Sequence, residues 1–121
     1  MKRFTRGTRL IALAERDWRR AVRALEEFDP TEPFSLAYQS AVIGLGIPEL
    51  LAILGALYED DICELFLLVY HCEEHPIMTR AWSAGMPCAP FACPECERPN
   101  IPARELSFDV RAQLVDWVRM G

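Results

Sequence analysis

Hydrophobic and polar positions divide the chain into a helical half and a strand half. Over residues 8–28, Ile11, Ala14, Trp18, Ala21, Leu25 and Phe28 recur at steps of three and four, the stripe of one helix. Arg9, Arg16, Arg20 and Arg23 fall largely on its other side. The run Asp29-Pro30-Thr31-Glu32-Pro33 ends this helix, because each proline disfavours helical geometry in the residue before it. Residues 34–43 predict a second, short helix, broken by Gly44-Leu45-Gly46. Pro48 then suits the first turn of a third helix, where its missing N–H costs nothing. That helix runs to about residue 58, with Leu50, Leu51, Ile53, Leu54 and Leu57 as its buried positions. Glu59-Asp60-Asp61 closes it, placing acids at the end where the helix dipole disfavours them.

The pattern changes after residue 61. Residues 62–72 are a near-continuous apolar run, rich in β-branched and aromatic side chains, and predict a strand buried on both faces. Over residues 106–114, Leu106, Phe108, Val110, Ala112 and Leu114 alternate with Ser107, Asp109, Arg111 and Gln113, a period of two with one face dry and one wet. Residues 115–120, with Trp117, fit either a strand tail or a terminal helical turn. Residues 76–90 contain Pro76, Gly85, Pro87 and Pro90 and read as loop. The expected fold is α+β: a layer of about three helices over residues 1–61 on a small antiparallel sheet over residues 62–121, together one compact domain.

The long connection between the two strands carries the chemistry. Cys72 and His75 are separated by two residues, as are Cys93 and Cys96, and 17 residues lie between the pairs. This is the spacing of a structural zinc site with one Cys replaced by His. Zinc accepts thiolate and imidazole together at the corners of a tetrahedron, and four protein ligands leave no open position. Such a site folds the chain and does not catalyse. Two substitutes stay open. His71 could replace His75, although on a strand it points to the face opposite Cys72. Cys88 could replace a cysteine, although Pro87 and Pro90 place it in a loop. Cys63 opens an apolar strand and reads as core. The plain alternative is a set of buried cysteines with a surface histidine. A redox reading of Cys93-Pro94-Glu95-Cys96 is disfavoured, because Pro99 and Pro102 follow where a thioredoxin-type helix would begin.

Residues 40–62, with Leu45-Gly46-Ile47 between two short helices and Leu54, Leu57 and Tyr58 behind, resemble a helix-turn-helix core. A strand pair after the third helix is how winged-helix domains continue. The chain resembles a winged helix leading into a zinc ribbon, as in the alpha subunit of transcription factor IIE and in many small prokaryotic regulators. The zinc-bearing stretch is then a zinc-ribbon-like extended hairpin, an elaborated wing.

Charge modifies the functional expectation that this resemblance brings. Residues 1–25 hold eight basic and two acidic residues, while the remainder holds five basic and sixteen acidic. In helix-turn-helix proteins that read DNA, the second helix of the motif enters the major groove, and Lys and Arg on phosphates supply much of the affinity. Residues 48–61 contain no Lys or Arg, have four acids, and lack the Asn, Gln, Ser or Thr that read base edges. There is also no glycine-rich phosphate loop, no GxSxG and no HExxH. The expectation is a non-catalytic, zinc-stabilised protein-interaction module, an adaptor or regulatory subunit of a complex, with one structural Zn2+ and no small-molecule substrate. The alternative is a nucleic-acid-binding regulator that uses Arg9, Arg16, Arg20 and Arg23. The same four arginines would serve an acidic protein partner. No apolar run reaches the ~18 residues needed to span a bilayer, the N-terminus is a poor secretory signal, and cysteines clustered in pairs suit metal in a reducing compartment. The chain is therefore expected to be cytoplasmic.

Overall fold

A computed structural model describes residues 1–72, 75–87 and 91–121. Its elements run β1 (Lys2–Phe4), α1 (Glu15–Leu25), β2 (Phe34–Ser35), α2 (Leu36–Ile43), α3 (Ile47–Glu59), β3 (Cys63–Tyr70), β4 (Met78–Ala81), β5 (Ser107–Leu114) and β6 (Val118–Met120). The fold is α+β, with three helices and a small antiparallel sheet in the order β2-β5-β3-β4. A separate parallel pair joins β1 to β6. The chain divides into two units, Met1–Leu65 with Arg111–Gly121, and Phe66–Val110. Both division points fall inside strands, one in β3 and one in β5.

In the helical unit, Trp18, Ala21 and Leu25 of α1 are buried, as their spacing implies. The helix begins later than its apolar stripe. Thr8–Leu10 forms a 3-10 turn, Leu10 is buried, and Ile11 is 71% exposed. The cause is Arg6. Its guanidinium donates to the carbonyls of Leu10 (2.8 and 3.0 Å) and Leu13, pairs with Glu15 at 2.9 Å, and lies 5.4 Å from the Trp18 ring centre. Carbonyls held by Arg6 are held in a loop, and the helix starts only past them.

At α2, the Ser35 hydroxyl accepts from the Tyr38 N–H at 3.2 Å, an N-cap that fixes the start one residue later. Phe34 and Ser35 instead pair with Ala112 and Arg111 of β5. Gly44 ends α2 at φ 80°, a left-handed turn that a side chain would strain. The buried Ser40 hydroxyl donates to the Leu45 carbonyl at 2.5 Å and locks the turn. The axes of α2 and α3 are bent by 116° across this break. Leu50, Ile53, Leu54 and Leu57 of α3 are fully buried, while Leu51 is only half-buried. No single helix among the described residues is long and apolar enough to cross a membrane.

The acids that close α3 have a partner: Arg9 forms an ion pair with Glu59. The Arg9 hydrogen bond holds the Glu59 carboxyl below its ordinary value of 4.5. A group with a depressed folded pKa adds stability above its unfolded pKa, and that stability is lost as pH falls through the folded value. Glu59→Gln should therefore flatten the acid limb of a stability-versus-pH curve below about pH 5. A limb identical to wild type in urea titrations across that range would contradict this.

Two stretches depart from the expected pattern. Residues 115–120 contain a distinct strand, β6, whose Val118, Arg119 and Met120 lie in register with Lys2, Arg3 and Phe4. Residues 76–90, expected as loop, contain β4. It pairs antiparallel with β3 from Phe66↔Ala81 to Val69↔Met78, and the Ile77 N–H donates to the Val69 carbonyl at 2.7 Å. Its residues alternate between half-buried (Met78, Arg80) and exposed (Thr79, Ala81), a strand pattern hidden by the surrounding proline and glycine. In β5, Val110, Ala112 and Leu114 are buried as expected, but Phe108 is exposed.

Candidate metal centre

The unit Phe66–Val110 has a small core of its own. Leu67 and Val69 of β3 gather with Phe91, Cys93, Ile101 and Leu106, and Ile77 and Met78 lie against them. Phe91 and Ile101 exchange two backbone hydrogen bonds, of 3.2 and 2.7 Å, and so close residues 92–100 into a loop. That loop is a knuckle around the Cys93 sulfur. The Cys93 N–H donates to the Arg98 carbonyl at 3.0 Å, and Glu97 takes a left-handed φ of 59° to reverse the chain. Burial opposes charge on the Cys93 sulfur. The backbone N–H groups of Cys96 and Glu95, together with His71, outweigh that opposition and bring the thiol down to about 6.

His71, Cys72, Cys93 and Cys96 converge, with their ligand atoms all within 4.8 Å of one another. His71 Nδ1 lies 3.0 Å from the Cys72 sulfur and 3.5 Å from that of Cys96, and the Cys72 and Cys93 sulfurs are 3.8 Å apart. Cys93 is buried, His71 half-buried, and Cys72 and Cys96 exposed. All four described cysteines are free thiols. A hydrogen bond with Cys96, then burial, then Cys93 pushes the Cys72 thiol up to about 12. Thiolates held this close repel one another, and a bound cation removes that penalty. The group is close enough to bind one metal ion.

No protein family, curated protein or solved structure matches the chain.

Three of the four residues singled out by their spacing, Cys72, Cys93 and Cys96, come together. The histidine among them is His71, one of the two substitutes left open. His75, which the spacing selects, is exposed and does not belong to the group. The reason is local. Strand β3 ends at Tyr70, and residues 71 and 72 lie in a bend. The alternation that would turn adjacent side chains to opposite faces no longer applies, so His71 and Cys72 converge. Cys88, the other substitute, lies outside the described residues, as do Glu73 and Glu74. Cys63 is buried in β3, and burial drives its thiol up to about 12, which makes it a neutral core residue.

The four arginines meet different fates, although all are exposed. Arg9 is held by Glu59. Arg16 lies 3.8 Å from Asp17. Arg20 donates to the Gly44 carbonyl at 3.1 Å. Arg23 has no ion pair among the described residues.

Proposed function

We propose that the chain is a non-catalytic protein-interaction module whose strand half is held by one structural Zn2+ on His71, Cys72, Cys93 and Cys96. The observation that carries this reading is the four-donor group itself. Three thiolates and one imidazole are a soft, tetrahedral donor set, which favours zinc over magnesium, calcium or manganese. Four protein ligands fill the tetrahedron and leave no position for a substrate or a reactive water. Metal analysis of the purified chain tests this part: one zinc per chain is expected, and no bound metal overturns it.

The helical half supports a winged-helix reading turned toward protein. Two helices at 116°, joined across three residues that include two glycines, match helix-turn-helix geometry. Strands β3 and β5 follow with the metal-bearing extension between them. The third helix has no Lys or Arg, and Ile47 at its start is 48% exposed. That surface suits an apolar partner better than a phosphate backbone.

The runner-up is a nucleic-acid-binding regulator, favoured by the exposed row Arg16, Arg20 and Arg23. Duplex DNA and single-stranded RNA titrated from about 50 to about 200 mM salt separate the two readings. The interaction reading expects affinity no better than ordinary non-specific binding, about 10⁻⁴ to 10⁻⁶ M at physiological salt. Tighter, steeply salt-dependent binding that disappears when the three arginines are changed to Ala supports the runner-up.

A further inference from the structure

Between α1 and α2 runs an open groove with a volume of about 560 Å³. Ala24, Phe28, Val42 and Ile43 supply its apolar lining, and Arg20 and Arg23 are its basic residues. We propose that this groove is the docking site for an acidic amphipathic helix of a partner protein. The inference deepens the interaction-module reading and rests on it.

Three features point to this occupant. The first is the apolar lining, which continues onto the outer face of α2. Tyr38 and Val42, four residues apart and therefore neighbours on the helix surface, are 67% and 62% exposed. An amphipathic helix laid in a groove covers such a strip with side chains spaced three and four residues apart. The second is charge. Arg16, Arg20 and Arg23 share one face of α1, and Arg23 has no ion pair among the described residues. A carboxylate on the flank of the incoming helix can pair with the Arg23 fork. The third is polarity along the groove. Glu27 and Gln39 also line it. Glu27 lies one turn beyond Arg23, so the partner's acids belong at the Arg20–Arg23 end and an uncharged or basic residue belongs beside Glu27. Phosphate backbones would satisfy the arginines but leave Phe28 and Val42 uncovered, which favours protein over nucleic acid. The scale also fits. Helix α1 has 11 residues, a length of about 16 Å, enough to flank about three turns of a bound helix.

The test uses the full metal-loaded chain and three labelled probes read by fluorescence anisotropy. One is a helical peptide of about four turns with Leu at a three-and-four spacing and Glu along one flank. The second has Lys in place of Glu, and the third is duplex DNA. The acidic peptide should bind and the Lys peptide should not. Val42→Asp and Arg23→Glu, both at exposed positions, should each weaken the acidic peptide by about tenfold or more. Arg23→Glu should also narrow the gap between the two peptides. Circular dichroism checks that each variant folds, and backbone amide shifts in the wild type should map to α1 and α2. Equal binding of both peptides, no binding of either, or no response to Val42→Asp overturns the groove while leaving the interaction-module reading standing. DNA binding that competes with the peptide at Arg23 overturns both. A self-associated chain whose groove is already covered, seen by sedimentation, overturns the groove assignment.

Discussion

Cys93→Ser should strip amide-exchange protection from Phe66–Val110 and leave the buried face of α3 protected. The segment has too little core to hold itself. Its described buried cluster is Leu67, Val69, Phe91, Cys93, Ile101 and Leu106. Segments this short on core depend on a staple, and metal is one of the usual ones. Because a metal site does not exist in the unfolded chain, metal binding energy becomes folding energy, of order 10 kcal/mol in small zinc peptides. Among the four converging residues, Cys93 should be the most costly to lose. It is both a candidate sulfur donor and a buried member of that cluster, and serine there leaves a hydroxyl in an apolar site. Chelation should reproduce the same exchange pattern. His75→Ala should not, because His75 lies outside the ligand group. Unchanged exchange after both Cys93→Ser and chelation would show that the segment folds without metal.

Leu57→Ala is expected to cost about 2–5 kcal/mol, the range for emptying a fully buried leucine site. Leu57 is 0% exposed and shares the buried face of α3 with Leu50, Ile53 and Leu54. For a domain of this size such a loss lowers Tm by roughly 10–20 °C. Ile47→Ala, at a half-exposed position on the same helix, should change stability by no more than about 0.5 kcal/mol. Thermal melts of the two variants side by side check this. Equal shifts would mean that α3 does not bury the face described here.

Much of this architecture was legible from breakers and periodicity. Gly44-Leu45-Gly46 and Pro48 located the turn between α2 and α3, and the alternation from Ser107 to Leu114 located β5. What escaped depended on contacts distant in sequence or on turn geometry. Nothing in the stripe from Ile11 to Leu25 reveals that Arg6 will claim the carbonyls of Leu10 and Leu13 and delay α1. Strand β6 exists because β1, more than 110 residues away, lies beside it. Strand β4 is four residues long and sits among residues that signal turns.

The candidate site divides in the same way. Paired cysteines are a covalent-spacing signal and survive in a bare sequence, so Cys93 and Cys96 could be found, and Cys72 with them. The choice between His71 and His75 depends on where β3 stops, a matter of one or two residues that spacing does not fix. The groove between α1 and α2 was foreshadowed only by its arginines. Its apolar side became visible once α1 and α2 were placed, because Val42 and Phe28 belong to different elements.

Zinc K-edge X-ray absorption on the purified full chain reads the proposed ligand shell directly. Three sulfur ligands at about 2.3 Å and one imidazole nitrogen at about 2.0–2.1 Å are expected, with no open position. That shell should persist in His75→Ala and lose its imidazole signature in His71→Ala. A shell with fewer than three sulfurs, or an imidazole signature that survives His71→Ala and disappears in His75→Ala, would contradict it.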